Sequence, residues 1–331
     1  MIMIHGMRAK LQKGGITEGL LIVLGIAVVL FVLLGKSGVP GTSASPSFFG
    51  SGIGNGGSNS SGNTTNTSVD SSGFTIPTKT SPYTNEVHLG SGNASSATEP
   101  YQEYVTLEND GNTQVDITGW KLSNARGSRT YTVGNNQETF ASDVVTIPKG
   151  TALISSAPSA PQDIFLNPGE SADIVTGSLG NTYPYKITAF KETKCTNYLT
   201  SGTDTYTFTP YIQTSCVSPQ NEPGADGLDM QCQNYIEGMQ SCHTPKYNTV
   251  DSQGNTCSGC VDGTALSTSC LNYIQAHFSY ESCLANHEND SNFYGSVWHV
   301  YLGQSFELWA ENHELITLYD SSGKVVDYIS Y

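Results

Sequence analysis

Apolar residues gather into one unbroken run near the start of the chain, Gly19 to Gly35, and beyond it occur only in short stretches broken by Gly, Pro and Asn. Extended back to Ile16, the run reaches the roughly 20 residues a helix needs to cross a bilayer. Arg8, Lys10 and Lys13 precede it, and only Lys36 follows closely. The positive-inside rule then predicts a cytoplasmic N-terminus over 1–15, a transmembrane helix over 16–35 and translocation of the rest. Two other readings fit the same run. One is a cleaved signal peptide, with Ser43-Ala44-Ser45 as its small-x-small site. The other is a pilin-like leader opening at Gly15-Ile16-Thr17-Glu18. Between 36 and 80 the chain is mostly Ser, Gly, Thr and Asn, and its few apolar residues are isolated. Such a segment buries too little surface to offset its ordering entropy, which predicts a disordered linker.

From residue 83 the pattern changes to short alternating runs. Tyr104 to Glu108 and Gln114 to Ile117 flank the turn-forming Asn109-Asp110-Gly111-Asn112. Further β-rich stretches are Thr118 to Leu122, Tyr131 to Val133, Val144 to Ile147, Thr151 to Ile154 and Ala172 to Val175. Near the end, Glu314 to Tyr319 and Val325 to Tyr331 flank Asp320-Ser-Ser-Gly-Lys324, a hairpin pattern. Strands recurring at such intervals between Gly, Pro and Asn turns predict a mainly β antiparallel sandwich. Its expected core is Val105, Leu107, Val115, Ile117, Trp120, Leu122, Ile147, Leu153, Ile174, Leu315, Ile316, Leu318 and Val326.

Three of these segments together resemble the lamin-tail domain family. They are Glu103-Tyr-Val-Thr-Leu-Glu-Asn109 with Val115-Asp-Ile-Thr-Gly-Trp-Lys-Leu122, the turn Asn167-Pro-Gly-Glu170, and the closing Leu318 to Tyr331. The resemblance covers about 83–190 and 298–331. It implies an immunoglobulin-like sandwich over 83–331, interrupted by an insert at about 191–297. It also implies a surface or adhesion module, and it carries no catalytic residues over to this chain.

The insert holds every cysteine: Cys195, Cys216, Cys232, Cys242, Cys257, Cys260, Cys270 and Cys283. An even count in a translocated segment reads as a disulfide framework. Cys232-Gln-Asn-Tyr-Ile236 and Cys270-Leu-Asn-Tyr-Ile274 echo each other and read as helical. They resemble a twin-cysteine helical hairpin, with Cys232 and Cys242 facing Cys270 and Cys283. Cys195–Cys216 and Cys257–Cys260 are then local bridges. Zinc at Cys257-Ser-Gly-Cys260, with ligands drawn from Cys270, Cys283, His277 and His287, is the competing reading. A redox centre is a third.

Charge narrows the partners. Asp and Glu number 29 against 14 Lys and Arg, a net charge of −15, which argues against nucleic acid and towards a neutral or basic partner. No metalloprotease, nucleophile-elbow or phosphate-loop pattern occurs, and no cofactor is expected. The reading that follows is a membrane-tethered, non-enzymatic extracytoplasmic module that binds a protein, glycan or envelope polymer. Its recognition surface is expected on the insert around Tyr235, Tyr273, Phe278 and Tyr280. The alternative is an extracellular hydrolase with a site between insert and sandwich.

Overall fold

The computed structural model describes residues 68–71, 73–125, 129–133, 136–140, 144–155, 160–179, 187–201, 206–250 and 253–331. The expected transmembrane helix at 16–35 and the linker before residue 68 lie outside them. No helix among the described residues is long and apolar enough to cross a membrane. The final part of the expected linker does make contacts. Val69 bridges Thr75, Phe74 stacks on His313 at 4.4 Å, and Lys79 pairs with Asp327 at 2.5 Å. The backbone N–H groups of Thr80 and Ser81 donate to the Val325 carbonyl. Contacts with the sandwich thus begin before the expected linker end at 80, through Phe74 on His313 and Lys79 on Asp327 of the last strand.

Ten short strands precede the insert: β1 (Val87–Gly90), β2 (Tyr104–Asn109), β3 (Val115–Asp116), β4 (Lys121–Ser123), β5 (Arg129–Val133), β6 (Asn136–Phe140), β7 (Val144–Thr146), β8 (Phe165–Leu166), β9 (Ser171–Val175) and β10 (Ala189–Thr193). The insert carries α1 (Met230–Gly238), β11 (Cys260–Val261), β12 (Thr264–Ala265), α2 (Thr268–His277) and α3 (Tyr280–His287). The chain closes with β13 (Tyr294–Tyr301), β14 (Leu315–Tyr319) and β15 (Val325–Ser330). A five-stranded sheet runs β1-β2-β9-β13-β10 and a four-stranded sheet β15-β14-β4-β7. One apolar core joins the two: Val105, Leu107, Ile174 and Val300 from the first meet Leu122, Ile316, Leu318 and Val326 from the second, around Trp120 and Ile117. All but one of the expected core residues are buried. The exception is Leu153, which is half-buried in an irregular segment where a strand was expected, and which packs towards the insert.

The sandwich is not wholly antiparallel. β13 pairs antiparallel with β10 but parallel with β9, from Val297↔Ser171 to Tyr301↔Val175. Parallel neighbours need a long crossover, and the insert supplies one. Its bounds shift accordingly, to 194–293, because 191–193 and 294–297 belong to the ladder between β10 and β13.

Motif residues of the first half act as loop anchors. The Asn109 side chain is buried; its amide donates to the carbonyls of Thr113 and Leu166, both at 2.8 Å, and its Oδ1 accepts the Gly111 N–H at 3.0 Å. Asn109→Ala strips partners from three backbone groups and is expected to lower stability by about 2 kcal/mol. Urea denaturation measures it, and an unchanged midpoint would mean the turn supports itself.

A second core lies on the outer face of the five-stranded sheet, where Val175, Phe190 and Tyr301 meet Tyr198, Phe208, Ile236, Ile274, Phe278 and Phe293 of the insert. The insert is the sheet's cover and not a free surface loop.

Four disulfides staple it: Cys195–Cys283, Cys216–Cys242, Cys232–Cys270 and Cys257–Cys260, with no free cysteine among the described residues. The 257–260 bridge is as expected and Cys232 does bridge to Cys270 on the facing helix, but the expected second bridge between those helices and the Cys195–Cys216 bridge are corrected. α1 ends at Gly238, so Cys242 lies past the helix with a left-handed φ of 63°, and it reaches Cys216. The second expected helix breaks at Phe278 into α2 and α3, which carries Cys283 away from Cys270 and towards Cys195.

Candidate functional site

The expected recognition residues do not form one surface. Phe278 and Tyr280 are only 2% and 4% exposed, and the Tyr280 hydroxyl donates to the Ile154 carbonyl at 2.9 Å. Both flank the break at Ser279, which turns them inward onto the sandwich. They are withdrawn from the site. Tyr273 is half-buried, stacks on His277 at 4.0 Å and donates to the Glu222 and Pro223 carbonyls at 3.2 and 3.1 Å. Tyr235 lines an open cavity.

That cavity is an open groove of about 460 Å³ lined by Asn234, Tyr235, Gly238, Met239, Gln240, His243 and Asp262. One wall is the end of α1. The helix starts at Asp229, whose side chain accepts the Cys232 N–H, buries Cys232 and Ile236, and stops at Gly238. The other wall is the tip of the β11–β12 hairpin. Asp262 and Gly263 form its two-residue turn with φ of 48° and 81°. Positive φ at both positions is what a type I′ turn demands, and Asp-Gly meets that demand at low steric cost. Cys257–Cys260 closes the approach to the hairpin, and the Gly263 N–H donates to Thr249 Oγ1 at 2.6 Å.

Asp262 ties the walls together. Its Oδ2 accepts the Tyr235 hydroxyl at 2.7 Å and faces His243 Nε2 at 2.7 Å, while Oδ1 accepts the Lys246 N–H at 3.0 Å. Burial pushes this carboxyl up, but the hydrogen bonds from Tyr235, His243 and Lys246 outweigh it and hold the group below the usual carboxylate range. Burial first, and then Asp262 itself, push the Tyr235 phenol well above its ordinary value, so it stays a neutral donor. The arrangement presents fixed polar groups beside an aromatic ring.

Two further His–carboxylate pairs are buried and act as pins. Glu192 accepts His299 Nε2 at 2.8 Å and also takes the Gln213 and Thr214 N–H groups and the Thr214 hydroxyl, holding the insert to β10. Glu222 meets His287 Nε2 at 3.0 Å inside the insert. All eight cysteines are spent in disulfides, so a zinc site at Cys257 and Cys260 has no thiolate. Among the described residues no group of three or more His, Cys, Asp or Glu is placed to hold a metal.

Sequence reasoning missed His243 and Asp262. The available signal was Val261-Asp-Gly-Thr264, a hairpin pattern in its own right. The 19-residue gap between His243 and Asp262 gave no sign that they meet.

The family model described as Lamin Tail Domain matches residues 75–209. The matched span takes in β1 to β10, and β13, β14 and β15 complete its two sheets. No curated protein matches the chain.

Proposed function

We propose that this chain, of which residues 75–209 match the lamin tail domain model, is a non-enzymatic binding module, held outside the membrane by its N-terminal apolar helix, with the groove of the insert as its recognition surface. The observation that carries this reading is the groove itself. Its walls are fixed by Asp262 and by disulfides on both sides, and it offers an aromatic ring with several polar groups. Preformed concave sites of this size and mixed lining are typical of ligand binding. The topology draws support from the basic residues ahead of the apolar run and from four disulfides, which persist in oxidising compartments. The net charge of −15 favours a neutral or basic partner over a polyanion.

One observation favours the hydrolase alternative: His243 and Asp262 form a His–carboxylate pair in a cleft. Among the described residues, however, no hydroxyl is hydrogen-bonded to His243, and the nucleophile of a triad needs that bond. The test is a turnover assay of the full chain against ester, peptide, polysaccharide and phosphoester substrates. Background rates are expected for wild type. Hydrolysis that His243→Ala abolishes would replace the binding reading with the catalytic one. Protease added to intact cells is expected to remove the head and leave the anchor, and protection until lysis would overturn the topology.

A further inference from the structure

We infer that the groove between α1 and the β11–β12 turn takes a neutral oligosaccharide; this rests on the binding-module reading above. A sugar ring offers an apolar C–H face and a rim of hydroxyls that both donate and accept. The groove has counterparts for each. Tyr235 lines it, and Tyr247, 42% exposed and outside the lining, forms a β-bridge with Val261 beside the turn. Aromatic side chains give large contact area with a polar handle. Asn234 and Gln240 add two exposed side-chain amides, each of which donates and accepts.

The ligand's charge follows from what is already spent. No Lys or Arg lines the groove, so phosphate, sulfate or an acidic sugar has no counterion there. A cationic side chain needs an open carboxylate. Asp262 has about four acceptor positions, and bonds from Tyr235, His243 and the Lys246 N–H occupy three. What remains suits one ligand hydroxyl better than an ammonium group that must be fully paired. About 460 Å³ gives room for a short stretch of a chain.

The experiment is calorimetric titration of the full-length protein, in detergent micelles, with hexaoses of glucose, mannose and N-acetylglucosamine, and with hexalysine as the cationic comparison. Binding of at least one hexaose is expected. Tyr235→Ala should weaken it at least tenfold. The exposed pair Asn234→Ala/Gln240→Ala should weaken it about tenfold with folding intact, as two lost hydrogen bonds imply. Tyr211→Ala, 77% exposed and outside the groove lining, should leave it unchanged. If hexalysine binds and the groove variants abolish that binding while no hexaose binds, the oligosaccharide is wrong and the binding module stands. Binding of no probe also overturns the oligosaccharide. The binding-module reading fails separately, by His243-dependent turnover.

Discussion

Replacing Cys195 and Cys283 together by serine is expected to lower the stability of the insert by about 4 kcal/mol, the largest loss from any one bridge. The two residues are 88 apart, against separations of 38, 26 and 3 for the other pairs. Loop-closure entropy grows with the logarithm of loop length, and the bridges at Cys216 and Cys232 shorten the effective path to roughly half. The same arithmetic leaves only about 1.5 kcal/mol for Cys257→Ser/Cys260→Ser. Geometry reinforces the order. Cys195 follows β10 directly and Cys283 sits on α3, so this bridge clamps the beginning of the insert to its last helix, just ahead of β13. Urea denaturation of the two double variants, compared with wild type, reads the difference. Equal losses would mean that local packing, and not chain closure, sets the contribution of each bridge.

Glu103→Gln is expected to remove a pH dependence of roughly 3 kcal/mol from the stability of the sandwich. Glu103 is 1% exposed, and its carboxylate accepts the N–H groups of Leu308 and Trp309 at 2.8 and 3.1 Å. Burial pushes its pKa up to about 7, with those hydrogen bonds opposing and nearby Glu307 adding to the rise. Between the ordinary value of 4.5 and about 7 the folded protein therefore holds a proton that the unfolded chain releases. Stability from this group is fully present below 4.5, falls as pH rises through that window and levels off above about 7. Asp173, raised to about 6 chiefly by burial, acts in the same direction. Asp262 and Asp320 are held low by their hydrogen bonds and act oppositely at acid pH. The difference between wild type and Glu103→Gln isolates Glu103, because glutamine keeps the shape without the titration. Parallel stability curves from pH 4.5 to 7.5 would show that the carboxyl does not titrate in that window.

The strands legible in the sequence are those with one face in the core. In β2, Val105, Leu107 and Asn109 are buried while their neighbours are half-buried or exposed, so the alternation survives. β10 and β13 have no such rhythm. Phe190 faces the insert while Ala189 faces the sandwich, and Val297 to Tyr301 are buried without a break. A strand covered on both sides leaves no polar alternate positions to read. Glu103 and Asn109 could be picked out as motif residues, but their work lies 205 and 57 residues away, at Leu308 and Leu166. The cysteines announced a framework and not its wiring, since Cys242 and Cys283 are redirected by helix ends at Gly238 and Phe278. The groove needed both the Asp262-Gly263 turn and a contact with His243 across a bridged loop.

The double covering of the five-stranded sheet also bears on how this protein associates with itself. A relative trimmed to the sandwich alone, with Thr193 joined to Tyr294 across the ladder they already share, would keep its inner core. It would also bare Val175, Phe190 and Tyr301 on a flat, paired surface. Contiguous apolar patches of that kind recruit a second copy or drive aggregation. The stapled insert thus covers an apolar face that a bare sandwich would have to fill with polar residues or bury against a second copy.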